Sequence, residues 1–354
     1  MRIAPRTLVV LVLLGVATGA SADEPSAVLA TVQSSLETAG KQIRQFAFDG
    51  DPETYFESKE NPHATDQFTL VLDKPVAVTR VKVTTGKPDG TDKLEAGVLQ
   101  TSVDGKKFTE VAKFVGGSAN FDSKDQKVLA VRVQPTSDLS SPLVIREIVV
   151  ESPQPVATFR YPIEFKVDVT DAPEMKEWAD KVAVLCEAWY PRLNDQLKSD
   201  GFKPATQITM TMKNSYKGVA EASGTRITGS VKFFKARPDD LGAMIHETCH
   251  VIQRYRARGN PSWLVEGVAD YVRFFIYEPG NAGPVNPLQA HYNDSYRTSA
   301  SFLAYVSDKY DKSLVLKLNK LMREGKYKEE AFKNLTGKTV QELGEEWLES
   351  LKTK

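Results

Sequence analysis

Cysteine and histidine are both scarce in this sequence. Its 354 residues include two cysteines, Cys186 and Cys249, and four histidines. Two cysteines exclude a small fold held by a disulfide network and allow at most one bridge in an oxidising compartment, between Cys186 and Cys249. Because histidine is so rare here, two histidines at a fixed spacing are informative.

A surplus of positive charge is also missing. The chain has 46 basic and 46 acidic side chains, and loss of Arg2 and Arg6 with an N-terminal signal would leave a net charge of −2. Without a basic surface, nucleic acid is not expected as a partner. The apolar fraction of 41% is typical of globular domains, and 354 residues are enough for two of them.

Long apolar runs are absent beyond the N-terminus. Arg2 and Arg6 precede an apolar run at residues 8–16 and the small residues 20–22, a pattern that predicts a secretory signal peptide, residues 1–22. The alternative is a membrane anchor, but this run is shorter than the ~20 residues needed to cross a bilayer. We therefore expect a secreted protein, extracellular or periplasmic, with no integral membrane segment after signal cleavage.

Short alternating runs fill the first half of the chain. Turn residues separate them, including the hairpin signal Asp104-Gly105, so this region predicts an antiparallel β-sandwich at residues 30–151. A proline-containing stretch without periodicity predicts a linker at residues 152–161. The predicted strands are residues 67–73, 78–85, 99–114 (a hairpin), 128–135 and 143–151.

The second half, residues 162–354, predicts an α+β domain. Strands are expected at residues 162–169 and 206–213, and a hairpin at 218–234 should turn near Ser223-Gly224. Helical spacing covers residues 174–201, with a kink expected at Pro191. Another helix should begin with Pro238 in its first turn and end at Gly259, and most of the remainder is helical.

The stretch AMIHETCHVIQ, residues 243–253, contains the two closely spaced histidines. On a helix, His246 and His250 lie one turn apart on one face and can bind the same Zn²⁺. Glu247 is displaced from that face by 100° and can act as general base on a water whose pKa zinc brings to roughly 7. The alternative is a surface helix with two solvated imidazoles, which the apolar neighbours Ile245 and Val251 disfavour.

A catalytic zinc needs a third protein ligand and an open position. The apolar helix predicted at residues 260–275 carries Glu266 and Asp270 on one face, after a turn long enough for it to run back beside the first helix. Either carboxylate could bind zinc, with Glu266 favoured, or both could form a polar stripe with Arg273. Arg256 stands where a metzincin would have its third histidine, which disfavours that class.

Several motifs together carry a family resemblance. HETCHVIQ, WLVEGVADYVRFF, the preceding GVAEASGTRITGSVKFF and the following SYRTSASFLAYVSDKY resemble the plant basic secretory protein family and its bacterial relatives, over roughly residues 158–354. That resemblance implies a gluzincin-type zinc metallopeptidase with a thermolysin-like, zincin-like catalytic domain. It implies His246, His250 and Glu266 as ligands, Glu247 as base, and Asp270 as the carboxylate that orients a ligand histidine.

Peptide hydrolysis also needs a donor for the oxyanion. Tyr292, Tyr296 and His291 are candidates, although packing in the core is the alternative for each. The hairpin strand around residues 226–232 could pair with an extended substrate, or could be a plain sheet edge.

The stretch AFDGDPETYFES, residues 47–58, with the strands that follow, resembles the discoidin or coagulation-factor C-type module, a galactose-binding-like β-sandwich. That resemblance implies a structural Ca²⁺ site and glycan-binding loops, to which Tyr55, Phe56 and His63 could contribute, with buried aromatic packing as the alternative for Tyr55 and Phe56. The alternative to calcium is a turn held by its own Asx hydrogen bonds. The oxygen ligands for calcium would come from Asp49, Asp51, Thr54 and Glu147.

The whole sequence therefore predicts a secreted two-domain zinc metallopeptidase that acts on peptide or glycoprotein substrates, with a carbohydrate ligand for its N-terminal module. The alternative is a surface- or carbohydrate-binding protein whose metal domain is inactive or structural. Glu247 argues against that alternative, since a structural zinc needs no base and normally has four protein ligands.

Overall fold

A computed structural model describes residues 27–255 and 259–352 of the chain. The predicted signal, residues 1–22, lies outside the described residues. The chain divides into two compact units, Met1–Pro162 and Ile163–Lys354. None of the helices in the described ranges combines the length and apolar character needed to cross a membrane.

The first unit is an antiparallel β-sandwich built on two long strands, β3 and β6. The order is β2-β7-β3-β6-β4-β5, with β1 also paired to β3. The first half of β3 pairs with β1 and the second half with β7, so β3 takes part in both layers. The strands are β1 (Ala30–Ser34), β2 (Phe56–Glu57), β3 (Phe68–Thr85), β4 (Gly97–Ser102), β5 (Thr109–Lys113), β6 (Ser118–Pro135) and β7 (Val144–Glu151).

The predicted β-sandwich is confirmed, but its strands differ: β6 begins at Ser118 rather than at residue 128, and β1 and β2 have no predicted counterpart. The sequence predicts separate strands at 67–73 and 78–85, whereas the structure joins them into β3, with irregular register against β6 between Val71 and Val76 and between Val78 and Arg80. Such irregularities let one strand bend from one layer into the other. The two layers bury a shared core that includes Phe56, Phe68, Leu70, Leu99, Val131 and Ile145.

The proline-containing segment 152–161 is hydrogen-bonded to the β-sandwich. Val28 donates its backbone N–H to Pro155 (2.8 Å), and Phe159 donates to Phe48 (2.9 Å). The rings of Phe48 and Phe159 also meet edge to face, with centroids 5.9 Å apart. This segment therefore packs as part of the first unit.

The second unit contains a four-stranded mixed sheet in the order β10-β11-β9-β8. Strands β8, β9 and β11 are parallel, and β10 pairs antiparallel with β11 at the sheet edge. The interior positions Ile208, Met210 and Met212 of β9 are fully buried. The strands are β8 (Glu164–Asp168), β9 (Gln207–Lys213), β10 (Ala220–Ser223) and β11 (Arg226–Ser230).

The remaining elements of the second unit are helices, which confirms the predicted mixed α+β class. The first of them continues through Pro191, within the helix in which the sequence predicts a kink. A π-helical turn, Val272–Tyr277, extends α4. The helices are α1 (Lys176–Leu197), α2 (Val231–Ala236), α3 (Gly242–Gln253), α4 (Ser262–Tyr271), α5 (Tyr296–Lys309), α6 (Leu314–Arg323), α7 (Ala331–Thr336) and α8 (Val340–Lys352).

Helix α3 is shorter than the sequence predicts. It begins at Gly242 rather than near Pro238, and it ends at Gln253 rather than at Gly259. The end is set by Arg254, whose φ of 43° lies in the left-handed region that stops a helix. Almost every residue of α3 is buried, including Met244, Ile245, Val251 and Ile252, so α3 is the central helix of the unit.

Candidate metal centre

Helix α3 brings His246 and His250 together by its own geometry. The Nε2 atoms of the two rings are 3.0 Å apart, and the ring planes are nearly perpendicular, at 85°. The His246 side chain is 9% exposed and that of His250 is 18% exposed. Two imidazoles one turn apart therefore aim at one partly enclosed point.

Glu266 on α4 is the third member of the group. Its Oε2 lies 3.2 Å from Nε2 of His246 and 3.3 Å from Nε2 of His250. Close packing sets this position, because a Cβ added to Gly267 would lie 2.8 Å from Cβ of Ser299 on α5. Glycine therefore lets α4 approach α5 at the residue after Glu266.

The Nδ1 atom of each imidazole ring is hydrogen-bonded to an acceptor. His246 donates from Nδ1 to Oδ1 of Asp270 at 2.6 Å, and His250 donates from Nδ1 to Oε1 of Gln253 at 2.7 Å. A neutral imidazole has one N–H and one lone pair, so protons on both Nδ1 atoms leave both Nε2 lone pairs facing Glu266.

This arrangement fits a tetrahedral metal ion. Three acceptor atoms, Nε2 of His246, Nε2 of His250 and Oε2 of Glu266, converge with spacings of 3.0–3.3 Å. Tetrahedral bonds of 2.0–2.1 Å would place neighbouring ligand atoms ~3.3 Å apart. Lone pairs this close repel one another unless a cation or a proton lies between them, so these three residues can hold a metal ion.

The pKa values report attraction between the histidines and the carboxylates of the site. Burial opposes the charge on His246, but its hydrogen bonds to Asp270 and Glu266 raise its pKa to about 9. Burial likewise opposes the charge on Glu266, but the two histidines lower its pKa to about 2. The first shift shows that the carboxylates favour a positive charge on His246, and the second shows that the histidines favour a negative charge on Glu266.

Glu247 follows His246 but is not one of the three converging groups. It is 8% exposed, and burial raises its pKa, against the opposing effect of the two histidines. A buried carboxyl with a raised pKa takes up a proton more readily than a solvated one. Glu247 therefore has the environment of a proton acceptor beside the candidate metal position.

Among the three proposed oxyanion donors, Tyr296 lies at the site. Its ring stacks over His246 with centroids 6.3 Å apart, and its pKa is raised, first by the charge of Glu266 and then by burial. Tyr292 instead packs against Trp263 and Phe302. The backbone N–H of His291 donates to Asp294, and His291 is exposed.

Two residues that sequence reasoning missed, Tyr216 and Glu221, lie near Glu247. Both belong to the β9–β10 region, and the charges of Glu221 and Glu247 help raise the pKa of Tyr216, after burial. Glu221 also raises the pKa of Glu247. No local pattern marks these positions, because only the packing of β10 beside α3 brings them to the site.

The predicted calcium ligands surround one turn of the β-sandwich. Asp49 accepts hydrogen bonds from the hydroxyl of Thr54 (2.9 Å) and the backbone N–H of Asp51 (3.0 Å). Oε2 of Glu147 is buried and has no hydrogen-bond partner among the described residues. Burial, together with the charge of Asp49, raises the pKa of Glu147 to about 7.

The three predicted glycan contacts are placed differently from one another. Phe56 is fully buried and packs on Phe68, with ring centroids 4.9 Å apart. Tyr55 is half-buried. His63 is exposed and lies 3.2 Å from Asp138, which lines a cavity of about 290 Å³ between residues 92–96 and 137–143.

The two cysteines are buried and free. Cys249 lies on α3 and Cys186 on α1. Burial raises the pKa of both thiols, that of Cys186 to about 12, so neither is an activated nucleophile.

Two family models match the chain. Residues 160–347 match the family described as "Peptidase of plants and bacteria". Residues 30–148 match the F5/8 type C domain, the discoidin-like module. A comparison with curated proteins finds no match.

Solved structures similar to this chain include three carbohydrate-binding modules of family 32 from Clostridium perfringens. A module from a family 31 glycoside hydrolase is 16% identical, covers 35% of this chain and 94% of its own, and has a TM-score of 0.31. The fifth module of a GH89 protein, solved with GalNAc-β-1,3-galactose, shows 15% identity, coverage of 35% and 95%, and a TM-score of 0.30. The module from NanJ, solved with galactose, shows 12% identity, coverage of 34% and 92%, and a TM-score of 0.30.

The peptidase match spans more than half of the chain and includes every residue of the candidate metal centre. With a discoidin-like β-sandwich at its N-terminus, this chain belongs to the family of peptidases of plants and bacteria.

Proposed function

We propose that this protein is a secreted zinc-dependent metallopeptidase. The observation that carries the proposal is the convergence of three acceptor atoms from His246, His250 and Glu266 within 3.0–3.3 Å. The peptidase family model covers all three. Two imidazoles and one carboxylate suit zinc better than calcium or magnesium, which prefer oxygen ligands.

Three protein ligands leave the fourth tetrahedral position open for substrate and water. When bound, zinc supplies a Lewis acid that polarises a carbonyl and makes water more acidic. Glu247 then takes the proton of the attacking water and delivers it to the departing amine. Its burial beside the ligands supports this role.

Tyr296 is the proposed donor to the oxyanion. Its backbone φ is 50°, and that of the preceding Ser295 is 66°, so two consecutive residues occupy the left-handed region that non-glycine residues rarely adopt. Strain of this kind persists only where the surrounding structure enforces it, and it is often found at functional sites. At Ser295 and Tyr296 this backbone strain accompanies the placement of the Tyr296 ring over His246, beside the proposed metal.

The strand predicted to pair with substrate, around residues 226–232, is β11, which already pairs with β9 on one side and β10 on the other, so that prediction is wrong. Strand β10 is instead the proposed position of the substrate backbone. It is the edge strand of its sheet, and it carries Glu221, whose charge acts on Glu247. An extended peptide that pairs with a sheet edge gains main-chain hydrogen bonds without regard to its side chains. Pairing with β10 would place that peptide beside the candidate metal position.

We further propose that the N-terminal β-sandwich binds a carbohydrate and directs the enzyme to glycoproteins. The discoidin-like family match supports this role. The polar cavity beside His63 and Asp138 is the proposed position of the sugar, because carboxylates and hydroxyls can bind sugar hydroxyl groups. A structural Ca²⁺ bound by Asp49, Asp51, Thr54 and Glu147 would satisfy the unpartnered oxygen of Glu147.

A single substitution, Glu247→Gln, tests the peptidase proposal. We expect the variant to bind one zinc per chain with unchanged affinity, because Glu247 is not a ligand, and to lose ~10²–10⁴-fold in kcat on a peptide library. The matched control is Glu164→Gln, another buried glutamate away from the site, which should keep wild-type turnover. Zinc content is measured by mass spectrometry and cleavage by fluorescence.

Two outcomes would contradict the proposal. One is a zinc-loaded wild type that cleaves no peptide in a broad library. The other is equal turnover in the wild type and in Glu247→Gln. The first result would favour a binding protein with a structural metal, and the second would exclude Glu247 as the base.

A further inference from the structure

Gln253 is the last residue of α3, three positions after His250, and it is 2% exposed. A buried amide needs partners for its oxygen and its nitrogen. Gln253 finds both: Oε1 lies 2.7 Å from Nδ1 of His250, and Nε2 lies 2.9 Å from the carbonyl oxygen of Val265 on α4.

The donors and acceptors of Val265, Gln253 and His250 determine which atom of each contact carries the proton. The carbonyl of Val265 can only accept a hydrogen bond, so it requires the NH₂ end of Gln253. The oxygen of Gln253 then faces His250 and can only accept, so the proton of His250 must be on Nδ1. The lone pair of His250 is thereby left on Nε2, which faces Glu266.

The side-chain amide of Gln253 also connects α3 and α4, the two helices that carry the proposed metal ligands. Val265, which accepts from Gln253, directly precedes Glu266. The backbone of Gln253 is held in turn from α6, where Arg323 donates to the carbonyls of Ile252 (2.8 Å) and Gln253 (3.3 Å). The end of α3 is therefore fixed although the helix stops at Gln253.

We propose that Gln253 is a positioning residue of the metal centre. It selects the tautomer of His250 that can bind a metal, and it sets the distance between His250 and Glu266. This inference rests on the proposed zinc site, and Gln253 itself contacts neither metal nor substrate.

The first test measures zinc affinity of the full chain by competition with a chelating dye. Gln253→Leu removes both polar ends, and we expect a loss of ~10–100-fold. Gln253→Glu keeps an acceptor for His250 but loses the donor to Val265, so it should recover only the part of the loss that comes from the tautomer of His250. The matched control is Thr248→Val, which removes a fully buried hydroxyl of α3 that bonds to Met244 and should leave zinc affinity unchanged.

The second test observes the imidazoles directly by ¹⁵N NMR. The chain has only four histidines, so each ring can be assigned. In the metal-free wild type we expect His250 as the Nδ1–H tautomer, and in Gln253→Leu a mixture of tautomers. Thr248→Val, which also loses a buried polar group of α3, should retain the wild-type tautomer.

The outcomes separate this inference from the peptidase proposal. An unchanged tautomer of His250 in Gln253→Leu, or equal zinc affinity in Gln253→Leu and wild type, would overturn the role of Gln253. A wild type that binds zinc and cleaves no peptide would overturn peptidase function and leave Gln253 as a positioning residue.

Discussion

At the scale of single residues, the candidate site depends on which atoms remain free to bind. Asp270 and Gln253 occupy the Nδ1 atoms of the two histidines, so the Nε2 atoms are the ones that converge with Glu266. Asp270 and Glu266 are one helical turn apart and chemically alike, yet they contact opposite sides of the His246 ring. One carboxylate can therefore orient a ligand while the other can bind the metal.

The two tyrosines of the 292–296 segment provide a matched pair. Tyr296→Phe removes the hydroxyl and keeps the ring stacked over His246. It should lower kcat ~10²–10³-fold with little change in KM, because the lost hydrogen bond forms mainly in the transition state. Tyr292→Phe keeps the ring packed against Trp263 and Phe302 and should retain wild-type kcat. Steady-state kinetics of both variants measure the difference, and equal kcat values would exclude Tyr296 as the donor.

At the scale of helices, the position of Glu266 depends on how closely α4 approaches α5. At Gly267 any side chain would meet Ser299. Ser299 is fully buried, and its hydroxyl donates to the carbonyl of Tyr292 at 2.8 Å. Contact between these helices therefore influences both Glu266 and the segment that leads to Tyr296.

Gly267→Ala should destabilise the protein by ~1–3 kcal/mol, because the new methyl group overpacks the contact with Ser299. It should also weaken zinc binding, since α4 must shift with Glu266. Adding Ser299→Gly should restore part of the lost stability, measured in a double-mutant cycle by urea denaturation with Ser299→Gly as the reference. Strictly additive effects of the two substitutions would show that this contact does not set the spacing of α4 and α5.

At the scale of the whole molecule, the chain carries two compact units, each with its own candidate cation site. Zinc would bind the second unit through His246, His250 and Glu266, and calcium the first unit through Asp49, Asp51, Thr54 and Glu147. Because a cation that binds only the folded state stabilises the unit that holds it, the two ions should affect different unfolding transitions.

Calorimetry of the metal-free protein tests this separation. Free zinc at 100 times its Kd should stabilise the second unit by about 2.7 kcal/mol, which raises its Tm by ~5–10 °C. Calcium should raise only the transition of the first unit. Replacing both His246 and His250 by Ala should abolish the effect of zinc on Tm and keep that of calcium. Glu147→Gln should abolish the effect of calcium and keep that of zinc. A zinc effect that survives loss of both histidines would place the metal elsewhere.

Much of the architecture could be predicted from local patterns. Alternating strands and turn residues predict the β-sandwich, which the family match confirms, and the spacing of His246 and His250 predicts two imidazoles on one face. The ends of α3 could not be predicted in this way. Gly259 has the residue type of a helix end, but Arg254 adopts the left-handed conformation five residues earlier. The bonds of Arg323 to the last carbonyls of α3 help to hold this end, and they come from α6, far along the chain.

By itself, the sequence determined the contacts that follow from a regular period: the two histidines one helical turn apart, Glu247 displaced from them, and Gln253 within reach of His250. Helical geometry fixes these distances before any tertiary packing occurs. Only the tertiary structure decided that Glu266 faces both Nε2 atoms while Asp270 binds Nδ1, and that Tyr296 rather than Tyr292 lies over His246. These choices depend on the distance and rotation between separate helices, which are set by contacts such as that of Gly267 with Ser299 and not by any local repeat.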